Sequence, residues 1–114
     1  CPEEGLILMQ LFKLSDMTKG WFVGNFSPTA QRSDAVEVAV KTYAAGSHEA
    51  RHLHKIAQEI TLILQGRARM NETVYEAGDI VVIAPGESTD FEALTDVTTV
   101  VVKTPSVAGD KYEC

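Results

Sequence analysis

Turn-forming residues punctuate this chain at intervals of roughly 8–12 positions, a spacing that suits short strands and leaves no room for long helices. Clusters at Ala44-Ala45-Gly46-Ser47, Asn71-Glu72, Ala77-Gly78-Asp79, Pro85-Gly86 and Thr95-Asp96 separate runs rich in β-branched residues. No run keeps an apolar stripe of helical period for long enough to make an amphipathic helix. The pattern predicts an all-β fold, a sandwich or a barrel.

Within residues 35–43, Val36, Val38 and Val40 share one face and Glu37 and Lys41 take the other, as in a half-buried antiparallel strand. Residues 59–64 divide in the same way, with Ile60, Leu62 and Leu64 on one side and Glu59, Thr61 and Ile63 on the other. Residues 67–70 and 73–76 read as a hairpin about Asn71-Glu72. Residues 80–84 make an apolar strand stopped by Pro85-Gly86, and residues 91–94 and 98–103 complete the set. Ahead of these, residues 6–14 read as a strand, residues 15–20 as a turn or one short helical turn, and residues 21–26 as an extended segment broken by Ser27-Pro28. The expected organisation is a single domain over residues 1–114, with a barrel body at about 35–104, strands within 6–26, and a polar tail at 105–114. That tail is expected either to stay mobile or to swap onto a partner's sheet edge.

A net charge of -6 argues against a nucleic-acid or anionic-membrane partner, for which a basic face is needed. No apolar run approaches the roughly 20 residues that span a bilayer. The stretch at residues 6–12 is interrupted by Gln10 and lacks a basic leader, so it reads as a strand rather than a signal peptide. A cytoplasmic location is the expectation. The two cysteines are Cys1 and Cys114, a poor disulfide framework, although a bridge between the termini stays open.

The chemistry concentrates in residues 46–66. His52 and His54 are two apart, so on a strand their imidazoles leave one surface together. A turn at residues 55–58 can bring Glu59 to the same place. Two imidazoles and a carboxylate are a ligand set for a divalent metal with open coordination positions. The alternatives are a metal-free polar pocket and a solvated strand end. His48 reads as a loop residue at the mouth and a proton-shuttle candidate. Trp21, Phe22, Phe26, Tyr43, Tyr75 and Phe91 are open to stacking on a planar ligand or to core and dimer packing. Arg67 and Arg69 share a face, which is solvated if it points outward and suited to an anionic substrate if it points inward.

Gly46, His52, His54, Glu59 and Gly66 together resemble the first cupin motif, G-(x)5-H-x-H-(x)3,4-E-(x)6-G, at every fixed position. The second motif, G-(x)5-P-x-G-(x)2-H-(x)3-N, is kept in part. Gly78 and Gly86 fall in place, Ala84 and Ala93 replace Pro and Asn, and Thr89 stands at the position of the histidine ligand. The resemblance implies a small antiparallel β-barrel or jelly roll with a site inside one mouth. It implies a divalent metal (iron, manganese, nickel or zinc) held by His52, His54 and Glu59, with Thr89 or Asp90 as a fourth ligand or a contact to metal-bound water. The implied activity is that of an isomerase, lyase or dioxygenase on a small oxygen-rich metabolite, with His48 or Asp90 as general acid or base. The alternative is a non-catalytic module binding a sugar or other small molecule. A homodimer is expected in either case.

Overall fold

The computed structural model describes residues 9–114. Their strands are Trp21–Gly24 (β1), Gln31–Arg32 (β2), Glu37–Tyr43 (β3), His48–Leu53 (β4), Gln58–Gln65 (β5), Arg67–Met70 (β6), Thr73–Glu76 (β7), Ile80–Ile83 (β8), Thr89–Ala93 (β9), Val97–Thr104 (β10) and Tyr112–Glu113 (β11). They form a six-stranded sheet in the order β2-β1-β3-β10-β5-β8 and a five-stranded sheet in the order β11-β4-β9-β6-β7. Every pairing is antiparallel except β1 with β2. The all-β expectation holds.

Register decides what faces inward. Across the larger sheet, Glu37, Lys103, Glu59 and Ile83 stand side by side, and the next inward row is Ala39, Val101, Thr61 and Val81. Between them lie outward rows of Val38, Val102, Ile60 and Val82, and of Val40, Val100, Leu62 and Ile80. β5 therefore divides as its alternation predicted, with Thr61 and Ile63 buried and Leu64 exposed. β3 reverses the half-buried reading: Ala39 is buried, Glu37 and Lys41 line interior cavities, and the valines take the outer face. Alternation names two faces, but which one is interior was fixed by β10.

The apolar core, Ile63, Ala68, Met70, Ile83, Phe91, Ala93 and Val97, is joined by Tyr43, Tyr75 and Val81. From Val97 and Ile63 the interior turns polar along β10 and β5 toward Lys103 and Glu59. The hairpin between β6 and β7 has both turn residues at positive φ, Asn71 at 48° and Glu72 at 72°, the two-residue geometry matched to strand twist. Gly66 ends β5 where a Cβ would collide with the carbonyl oxygen of Asp96.

Both ends depart from expectation. Residues 9–13 form no strand, and two short 3-10 turns, Leu14–Asp16 and Thr18–Gly20, follow. Met9 and Leu11 are exposed and have no neighbouring strand to pair with. Residues 6–8 of the expected strand, and Cys1 with any bridge to Cys114, lie outside the described residues; Cys114 is exposed. The C-terminal segment packs on its own chain. β11 pairs with β4 of its own chain, and Ser106 and Asp110 are buried. No helix among the described residues is long and apolar enough to cross a membrane.

Candidate metal centre

A bulge places the histidines. β4 pairs His48 with Glu92 and Glu49 with Phe91, then skips to His52 opposite Thr89, so β4 carries one residue more than β9. In an unbroken strand, residues of Glu49's parity, Arg51 and Leu53, would face inward. The extra residue switches parity, and His52 and His54 are buried instead. The Ala50 carbonyl at the bulge lies 3.0 Å from His52 Nδ1. That contact fixes the Nδ1–H tautomer and leaves Nε2 with its lone pair available.

His52, His54 and Glu59 bring one donor atom each to within 4.8 Å of one another. Thr61 Oγ1 donates to Glu59 Oε2 at 2.8 Å, which orients the carboxylate and leaves Oε1 3.9 Å from His54 Nδ1. Burial, reinforced by Lys103 and His52, pushes His54 down to about 4. The ring is therefore neutral near pH 7, and its approach to Glu59 is not an ion pair. Among the described residues, buried His54 Nε2 has no hydrogen-bond partner. An unpaired buried nitrogen, a neutral His54 imidazole and an adjacent carboxylate are what a divalent cation requires. The donor set fits a metal.

The turn between the histidines and Glu59 is held from the far end of the chain. The buried Asp110 carboxylate accepts hydrogen bonds from the backbone N–H groups of Lys55 at 3.0 Å, Ile56 at 3.1 Å and Ala57 at 2.9 Å. Burial alone would raise its pKa, but these three donors outweigh burial and hold it below the usual carboxylate value. Sequence reasoning missed Asp110 inside what read as a polar tail. The one available signal was an acidic residue following Gly109.

Other predicted residues separate clearly. Thr89 is buried in the same cavity as His52 and Glu59, and its hydroxyl donates to the Asp90 carbonyl. Asp90 reaches only the rim, where its carboxylate is engaged by Arg51 at 3.4 Å and by the Asn71 N–H at 2.7 Å. The bulge that could have turned Asp90 inward lies in β4, not β9, and β9 keeps its alternation. His48 is exposed on a surface depression with Arg69 and Glu92 and does not line the cavity. Arg67 and Arg69 face outward, and Arg69 pairs with Glu92 at 2.7 Å. Among the aromatics, Trp21, Tyr43 and Phe91 line the cavity, Phe26 lines a neighbouring one, and Tyr75 packs on the core. Burial and the adjacent Glu49 push the Tyr43 hydroxyl up, so it donates to Glu49 at 3.2 Å and is no base.

No family model and no curated protein matches the sequence. Solved structures do. An uncharacterised double-stranded β-helix protein of Klebsiella pneumoniae aligns with a TM-score of 0.67 and 21% identity, over 94% of this chain and 100% of that one. An RmlC-like cupin of Shewanella frigidimarina aligns with a TM-score of 0.62 and 15% identity, over 66% and 70% of the two chains. The chain has the cupin fold. Oxalate decarboxylase of Bacillus subtilis, a protein with Mn(II) centres, aligns with a TM-score of 0.58 and 16% identity, over 70% of this chain and 24% of that one. At these identities the likeness is one of architecture. Within the cupin barrel, His52 comes from β4, His54 from the residue just past its end and Glu59 from β5; His52 and Glu59 line one cavity and His54 the neighbouring one.

Proposed function

We propose that this cupin barrel holds a divalent metal through His52, His54 and Glu59 and binds a small oxygen-rich metabolite beside it, as a metal-dependent isomerase, lyase or dioxygenase does. The observation that carries this reading is the convergence of the three donors within 4.8 Å on a buried, neutral, unpartnered His54. The Mn(II) centres of the oxalate decarboxylase neighbour lend support from a shared fold. A bound metal supplies Lewis acidity to a substrate carbonyl or enol oxygen. The chain's own groups do the rest. Thr61 orients Glu59, the Ala50 carbonyl fixes the His52 tautomer, and Asp110 fixes the turn between the ligands. Tyr43 holds a proton toward Glu49 at the cavity wall. Asp90, at the rim, is the remaining acid–base candidate of the sequence reading.

Thr89 at the fourth-ligand position favours a second reading, a non-catalytic small-molecule or sugar-binding module with no metal or a structural one. Calorimetric titration of chelator-treated protein with Mn2+ and Zn2+ separates the two. The metal reading expects one-to-one binding that His52→Ala weakens about tenfold or more. Binding of neither metal, or equal binding by the variant, refutes it.

The reading also takes the protein as a homodimer. The outer rows Val38, Val102, Ile60, Val82 and Val40, Val100, Leu62, Ile80 carry no charge, and Ile80 and Val82 are 64% and 56% exposed on the edge strand β8. Two copies of a chain of charge -6 can share this face without bringing like charges together.

A further inference from the structure

Four of the ten basic residues of this acidic chain converge on one cavity of about 300 Å³, the cavity that holds His52 and Glu59. Lys41 and Lys103 reach it from β3 and β10, with Nζ atoms 5.6 and 5.0 Å from the centre of the Trp21 ring. Lys19 and Lys111 stand exposed at its rim. The carboxylates that face these ammonium groups are Glu37, Glu49, Glu59 and Asp90. Glu37 takes Lys103 at 3.8 Å and also accepts from Ser106 at 2.7 Å, Glu49 accepts from Tyr43, and Asp90 holds Arg51. Glu59 accepts from Thr61 and is a ligand in the metal reading. Among the described residues, Lys41 has no carboxylate within ion-pair distance. A half-buried lysine without an ion-pair partner is costly unless a ligand supplies the negative charge.

We infer that the cavity takes a small oxyanion, a carboxylate or a phosphate monoester, with its negative group held by Lys41 and Lys103 beside Trp21. The inference rests on the metal reading and deepens it, because the anion would sit within reach of the same His52 and Glu59 cavity wall. Burial holds Lys41 below the usual lysine value against the pull of Glu49, and an arriving anion reverses that penalty. Lysine acts here as a point charge, so both oxyanion classes satisfy the same chemistry.

Trp21 is the only tryptophan, so its fluorescence reports directly on this cavity. Metal-loaded and chelator-treated protein would be titrated at constant ionic strength with malate, glucose 6-phosphate and glucose. Saturable changes with malate identify a carboxylate site and those with glucose 6-phosphate a phosphate site, while glucose leaves the signal unchanged. Lys41→Gln and Lys103→Gln each weaken the anion about tenfold or more with metal content unaltered, and Lys41→Arg restores binding. Equal binding of glucose, wild-type affinity in both glutamine variants, or no saturable change with either anion overturns the inference. Lysine-dependent anion binding in protein that takes up no metal upholds the inference and sinks the metal reading alone.

Discussion

Asp110 joins three consecutive backbone N–H groups to one carboxylate, and through them it sets the turn that separates His54 from Glu59. Hydrogen bonds to a charged acceptor are among the stronger ones, so Asp110→Asn is expected to destabilise the fold by about 1–3 kcal/mol in chemical denaturation. The pH dependence follows from the direction of its shift. A carboxylate depressed in the folded state contributes fully above its unfolded value of about 4, and the contribution is lost as pH falls through the lower folded value. The stability gap between wild type and Asp110→Asn should therefore be constant near neutrality and close in strong acid. A gap that widened below pH 4 would contradict the assignment. Metal affinity should fall in the same variant, because the ligand turn loosens.

At the scale of elements, the bulge in β4 is the device that makes the site. Deleting Ala50 removes the extra residue and leaves His52 two positions after Glu49, still opposite Thr89, so the regular strand keeps both imidazoles inward. The expected outcome is a folded protein, by circular dichroism and thermal melting, that still takes up metal, more weakly for want of the Ala50 carbonyl against His52; complete loss of uptake with the fold intact would refute the role given to the bulge. The spacing of His52, His54 and Glu59 was legible in the sequence because ligand chemistry and strand periodicity both constrain it locally. Which residues opposed them was not. The bulge arises from pairing with β9, nearly forty positions away, and Asp110 from a segment with no apolar pattern to mark it. The β3 faces were misassigned for a related reason: a polar cavity inverts the usual rule that charges face water. The segment before Leu14 was apolar enough for a strand, but a strand also needs a neighbour.

For the whole molecule, the uncharged outer face of the six-stranded sheet predicts a dimer, and light scattering after size exclusion should give twice the mass of one chain. Ile80→Lys with Val82→Lys is expected to yield monomer with its metal site intact, since both side chains point away from the cavity; monomeric wild-type protein would contradict the interface. Lys41 and Lys103 line the same cavity as His52 and Glu59, so the proposed metal and the proposed anion would share it. That account depends first on the metal. Elemental analysis of protein purified without chelator or metal-affinity tag, repeated for Glu59→Gln, tests it most directly. Near-stoichiometric iron, manganese, nickel or zinc that falls sharply in the variant is the result predicted. Absence of metal from the wild type even after soaking, or equal metal in both proteins, would contradict it.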